Sequence, residues 1–129
     1  MKKQNLERPR ILIADDEENY RNLLTLILDN QGWKVSQASN GKEAIEKVLS
    51  LQPDLLILDY RMPGLTGAQV YRYLQLNGIN LPVVLVSSEF ELQKLASSLG
   101  IVHFLNKPFD IQDLLTMIQS AYDNFLIKQ

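Results

Sequence analysis

The chain has 129 residues, of which 46% are hydrophobic and 22% charged, with a net charge of −2. These values suit one globular domain with a single core and exclude a disordered chain. The near balance of charge leaves no global field for gathering nucleic acid or an anionic membrane, and the lack of cysteine excludes disulfides and thiolate metal sites. The apolar runs fall far short of the roughly 20 residues that a membrane helix needs, and no apolar segment follows the basic start to form a signal peptide. The reading is a cytoplasmic chain, 1–129 as one domain, with residues 1–9 as a flexible N-terminal extension.

Short β-like runs then alternate with helix-like stretches. Ile11-Leu12-Ile13-Ala14 is a compact apolar run that ends in Asp15-Asp16. Tyr20, Leu23, Leu24, Ile27 and Leu28 recur at helical spacing, closed by Gly32. Lys34 to Ala38 alternates like a strand with one face buried; Asn40-Gly41 marks a turn, and Ala44, Ile45, Val48 and Leu49 form the next helical stripe. Leu55-Leu56-Ile57-Leu58 is a second fully apolar run and stops at Asp59. A loop of turn residues, Met62-Pro63-Gly64-Leu65-Thr66-Gly67, leads into a helix that ends near Asn77-Gly78. Pro82 to Val86 is the third apolar run, ending at Ser87-Ser88, and Leu92, Leu95, Ala96 and Leu99 give a fourth helix stopped by Gly100. Val102 to Leu105 reads as the last strand, before Lys107-Pro108. Asp110 is placed to cap a final helix with Ile111, Leu114, Leu115, Ile118, Ala121 or Tyr122, and Phe125 on its apolar stripe.

Strands that are apolar at every position, separated by helices, predict a parallel sheet covered on both faces. Five such units make a doubly wound α/β sheet, whose ligands bind beyond the carboxyl ends of the strands. Asp15-Asp16, Asp59, Ser87 and Lys107 all fall there, so four polar features converge on one edge. Carboxylates gathered in this way raise one another's pKa, and a hard divalent cation such as Mg²⁺ relieves the repulsion through oxygen ligands. Asp59 is the candidate nucleophile, since carboxylates form aspartyl phosphates and phosphoryl transfer rests on positioning and charge neutralisation. Lys107 supplies a positive charge at the same rim, and the Ser87 hydroxyl can donate to a phosphoryl oxygen.

These motifs together resemble the response-regulator receiver domains of two-component signalling, along essentially the whole chain. The likeness is carried by Asp15-Asp16-Glu17, by Asp59 through Gly67, by Ser87-Ser88 and by Lys107-Pro108-Phe109, in order and at matching spacing. It implies a flavodoxin-like five-stranded sheet of order 2-1-3-4-5 with five helices. It implies that Asp59 takes a phosphoryl group from a sensor histidine kinase, a phosphotransfer protein or a small donor such as acetyl phosphate. Asp16, Asp59 and the main-chain carbonyl of Arg61 would bind Mg²⁺ directly, with Asp15 acting through water. Lys107 would pair with Asp59, and the Ser88 main-chain N–H would hold a phosphoryl oxygen. Ser87 and Phe104 would form the switch, with Phe104 turning into the space that Ser87 vacates, and the Lys107-Pro108 bond is expected to be cis. The face of the fourth helix, fifth strand and fifth helix is the expected surface for a homodimer or downstream effector, with no direct nucleic-acid binding. Arg61 and Glu89 flank the entrance for an attacking water, where their pairing would tune the lifetime of the phosphoryl group. The segment from Ser87 to Gly100 is shorter than is usual in that family, which leaves the output face open.

Bland readings stand beside these. Acids such as Asp15-Asp16 also favour helix N-termini, an isolated Lys107 is usually a solvated charge, and His103, within the last strand, reads as structural. Trp33 is a packing residue at the far end of the sheet. The stretch Tyr122 to Ile127 carries more apolar residues than one face needs, as partner surface, as a stub toward a further domain or as core. Among other functions, a haloacid-type phosphatase lacks its acid pair and cap domain here, and a flavin site lacks its phosphate loop. A constitutive scaffold would not need the full set of site residues.

Overall fold

The structure is a computed structural model that describes residues 7–128. The first six residues of the expected N-terminal extension lie outside the described residues. Of the rest, Arg8 pairs with Asp29 at 2.9 Å and the Pro9 carbonyl accepts from the Lys34 N–H at 2.8 Å, so these two residues are tied to the domain.

Five strands alternate with five helices: β1 Arg10–Ala14, α1 Glu18–Asn30, β2 Lys34–Ala38, α2 Gly41–Leu51, β3 Leu55–Asp59, α3 Gly67–Leu76, β4 Val83–Ser87, α4 Leu92–Leu99, β5 Phe104–Asn106 and α5 Ile111–Ile127. The strands are parallel and ordered β2-β1-β3-β4-β5, the doubly wound topology expected. Strand pleat sorts the core into two layers. Ile11, Ile13, Leu55, Ile57, Val84 and Val86 pack on α1 and α5 through Leu24, Leu28, Leu114, Ile118 and Ala121. Their alternating neighbours Leu12, Ala14, Leu56, Leu58, Val83 and Leu85 pack on α2, α3 and α4. Every residue of β3 and β4 is buried, and only their last residues, Asp59 and Ser87, are polar. β2 lies at an edge and is only half-buried, as its alternating sequence predicts.

Several helix ends follow local chemistry. Asn40 caps α2 by accepting from the Glu43 N–H, and Thr66 and Gln69 form a reciprocal capping box at the start of α3. Asp110 occupies the cap position of α5, but its side chain makes no capping bond, a correction to the expectation. The last strand is shorter than expected. The irregular segment after Gly100 buries Ile101 and leaves Val102 at 76% exposure, and β5 begins at Phe104. His103 precedes the strand, although its carbonyl still accepts from the Leu85 N–H at 3.0 Å. Its ring lies beside Asn124 and Ser120 of α5, and burial pulls its pKa down. Trp33 is buried edge-on against Tyr122, as a packing residue. Leu126 and Ile127 at the end of α5 are exposed by 51% and 80%. Among the described residues no helix is long and apolar enough to cross a membrane.

Candidate functional site

The sheet register builds the site. Ala14 pairs with Leu58, so Asp15 and Asp59, each the next residue, arrive side by side at the carboxyl edge. Both are buried, at 1% and 5% exposure, while Asp16 is exposed. One oxygen from each of the three carboxylates lies within 4.8 Å of the others. Lys107 directly follows β5, and the Lys107-Pro108 bond after it is cis, as expected. Its Nζ is 2.8 Å from Asp15 Oδ2 and 3.6 Å from Asp59 Oδ2. The resemblance pairs Lys107 with Asp59, yet the nearer carboxylate here is Asp15. The other Asp15 oxygen accepts from the Glu17 N–H at 2.9 Å.

Charge at this edge is poorly balanced, three carboxylates against one ammonium. Burial pushes the Asp59 pKa up to about 6, and the Asp15 charge adds to the rise; Lys107 and a hydrogen bond from the Arg61 main chain only partly offset it. Burial alone would lower the Lys107 pKa, but its hydrogen bond to Asp15 and the charges of Asp59 and Asp15 leave it raised, so it stays an ammonium. The donor set is all oxygen and short of positive charge, and this acidic cluster is capable of coordinating a hard metal ion.

The pleat separates a second group from the first. Ser87 ends β4 in the alternation that sends Val83 and Leu85 toward α3 and α4, and Phe104 packs in that same layer. Leu85 pairs with Phe104, which sets Ser87 two positions further along on the same face. Ser87 is buried at 1% exposure and its Oγ accepts from the Glu89 N–H at 3.2 Å. Ser88 is exposed beside it. Arg61 and Glu89 do pair across the site, through two hydrogen bonds of 2.8 and 2.9 Å, and that pairing holds the Glu89 pKa below the usual range. The shortened segment gives an α4 of eight residues preceded by Glu91 at a φ of 60° and by Phe90 at 88% exposure.

Two residues at the site escaped sequence reasoning. Helical spacing assigns Tyr20 to the core stripe, but its ring also lies 4.4 Å from Lys107 Nζ, centroid to nitrogen. An aromatic one turn into the helix after the acid pair, with Phe109 following Lys107-Pro108, is the signal that was available. Gly67 was read only as a turn residue. A Cβ there would collide with the main-chain carbonyl of Asp59, so the loop closes on Asp59 only because glycine stands at this point.

This sheet, with a buried acid at the end of its third strand, an acid pair after its first and a lysine after its fifth, is the arrangement of a phosphoacceptor signalling domain. The chain belongs to the response regulator receiver domain family, whose profile matches residues 11–119. It is 33% identical over 107 residues to sporulation initiation phosphotransferase F of Bacillus subtilis, covering 81% of this chain and 86% of that protein. Against the regulatory protein AtoC of Escherichia coli the identity is 32% over 114 residues, covering 87% of this chain but 25% of that protein. The chain likewise spans about half of the response regulator MprA of Mycobacterium leprae, at 35% identity over 113 residues, or 86% of this chain and 50% of that one. Among solved structures, the response regulator TrrA of Thermotoga maritima, in complex with Mg²⁺ and BeF, matches with a TM-score of 0.80 and 31% identity over 88% of this chain and 98% of that one. The Francisella response regulator 1452 receiver domain matches with a TM-score of 0.83 and 27% identity over 90% and 98% of the two chains.

Proposed function

We propose that this chain is a Mg²⁺-dependent switch that takes a phosphoryl group on Asp59 from a histidine kinase or phosphotransfer protein. The observation that carries the reading is the cluster of Asp15, Asp16 and Asp59 with Lys107 Nζ 2.8 and 3.6 Å from two of the acids. An Asp59 carboxylate oxygen attacks the phosphorus, the bond from phosphorus to the donor's imidazole nitrogen or acetate oxygen breaks, and the leaving group departs with its electron pair. Asp16, Asp59 and the Arg61 carbonyl would hold Mg²⁺, with Asp15 acting through water. The ion would supply charge neutralisation at the developing phosphoryl oxygens. Lys107 follows the negative charge from the carboxylates to the phosphoryl oxygens, and the Ser88 main-chain N–H holds another of these oxygens.

The added charge of about −1.5 to −2 biases a two-state element. Ser87 donates its hydroxyl toward the phosphoryl group and leaves its bond with the Glu89 N–H, and Phe104 turns into the space released. That movement reaches the Arg61–Glu89 pair and the start of α4, so the face of α4, β5 and α5 carries the output to a second copy or an effector. The Arg61–Glu89 pair stands across the water entrance and prolongs the phosphoryl state. We assign residues 1–129 to a single receiver domain acting in the cytoplasm.

Beryllofluoride with Mg²⁺, followed by amide NMR, tests this function. Shifts are expected at Asp59, Ser87, Phe104 and α4, all abolished by Asp59→Asn. Unchanged wild-type spectra would refute the switch.

A further inference from the structure

We infer that Tyr20 is a positioning residue for Lys107, its aromatic face being the third wall of the ammonium site. Resting on the phosphotransfer reading above, this adds a residue that the acid cluster and the lysine do not themselves supply. The two carboxylates hold Lys107 Nζ unequally, at 2.8 Å from Asp15 and 3.6 Å from Asp59. The Tyr20 ring centroid lies 4.4 Å from the same nitrogen, well inside the range at which a ring face attracts a cation. The Lys107 side chain keeps only 21% of its exposure, so this attraction acts where little water competes.

The ring is itself held in place. Tyr20 is the third residue of α1, and Phe109 lies edge-on to it with centroids 6.3 Å apart and planes at 75°. The Tyr20 hydroxyl is buried and finds no hydrogen-bond partner among the described residues. Packing, then, orients the phenol, and the useful part of the side chain is its π face. A carboxylate fixes an ammonium at a directed contact, whereas a ring face attracts it over a broad surface. Lys107 can therefore slide from Asp15 toward charge arriving on Asp59 without losing the ring. Without it, the ammonium is held by Asp15 alone, its nearer carboxylate at 2.8 Å.

The test compares the full chain with Tyr20→Phe, which keeps the face, and with Tyr20→Leu and Tyr20→Met, which remove it. One readout is the NMR shift of the Lys107 ε-methylene protons in the unphosphorylated chain. A ring-current displacement is expected in wild type and Tyr20→Phe and is lost in the other two. The second is the rate of Asp59 phosphorylation by acetyl phosphate with Mg²⁺, which is expected to fall about three- to ten-fold in Tyr20→Leu and to stay within about two-fold in Tyr20→Phe. Circular dichroism selects whichever of Tyr20→Leu and Tyr20→Met keeps the wild-type fold, and the Tyr20→Phe comparison stands in either case. A wild-type rate in a folded ring-less variant, or Tyr20→Phe slowed as much as Tyr20→Leu, overturns the assignment. An absence of phosphorylation in wild type would instead overturn the phosphotransfer reading, and the proton shift then decides the placement of Lys107 by itself.

Discussion

Replacing Asp59 by asparagine keeps the shape of the side chain and deletes a charge that the fold holds unwillingly. Burial and the neighbouring Asp15 raise the Asp59 pKa from 3.8 to about 6. That difference corresponds to at most about 3 kcal/mol between its protonation states. Solvent at the open edge of the site screens part of it, leaving about 1–2 kcal/mol. Because the folded pKa lies above the unfolded one, the folded chain binds this proton more tightly, and the group's contribution is full below about pH 4 and lost as pH rises through about 6. At pH 7.5 without divalent cations, Asp59→Asn is therefore expected to be more stable than wild type by about 1–2 kcal/mol, or about 4–8 °C in Tm. Urea or thermal unfolding of both chains at pH 7.5 and again near pH 4 reads the difference, which should nearly vanish at the lower pH. The reasoning fails if Asp59→Asn is the less stable chain at pH 7.5, or if its advantage is as large near pH 4.

Three further outcomes follow from the same geometry. Mg²⁺ at about ten times its dissociation constant should stabilise wild type by about 1.4 kcal/mol in a thermal melt, and Asp16→Asn should lose most of that gain. Gly67→Ala should cost about 1–3 kcal/mol in urea unfolding and slow phosphorylation of Asp59, because the new Cβ displaces the carbonyl of the acceptor itself. Arg61→Ala and Glu89→Ala should each shorten the phosphoryl lifetime about two- to five-fold, with the double variant no faster than either, as measured by loss of the phosphorylated species over time.

The sheet and its carboxyl edge were legible because fully buried strands leave no ambiguity: Leu55 to Leu58 and Pro82 to Val86 have apolar residues at every position, and the polar residue that ends each run marks the site. The helices were legible only as far as spacing goes. Leu23 and Leu49 fit their stripes, yet are each 50% exposed, since spacing does not show how wide a face the sheet covers. The start of β5 was misplaced because Val102 has strand chemistry but sits in the irregular segment between Gly100 and β5, where Ile101 is buried and Val102 is turned outward. At the site, residue identity pointed to Lys107 and the acids, while the preference of Lys107 for Asp15 over Asp59 is a matter of ångströms that no motif encodes. Tyr20 was hidden for a related reason, since one side chain serves the core with its edge and a cation with its face. The Arg61–Glu89 pair, by contrast, was readable once the resemblance placed both residues at the site, each two positions beyond a strand-end polar residue.

The pairing of Ala14 with Leu58 has a consequence for how far this protein can vary. A slip of one residue between β1 and β3 would send their apolar side chains to the wrong layer and, in the same movement, part Asp15 from Asp59. The place of residue 59 beside residue 15 is therefore inherited with the sheet. Folding guards that position but not the carboxylate itself, since Asp59→Asn is expected to fold more stably. The helix surfaces carry no such tie, so sequence change there can redirect what the domain speaks to while leaving intact its ability to listen.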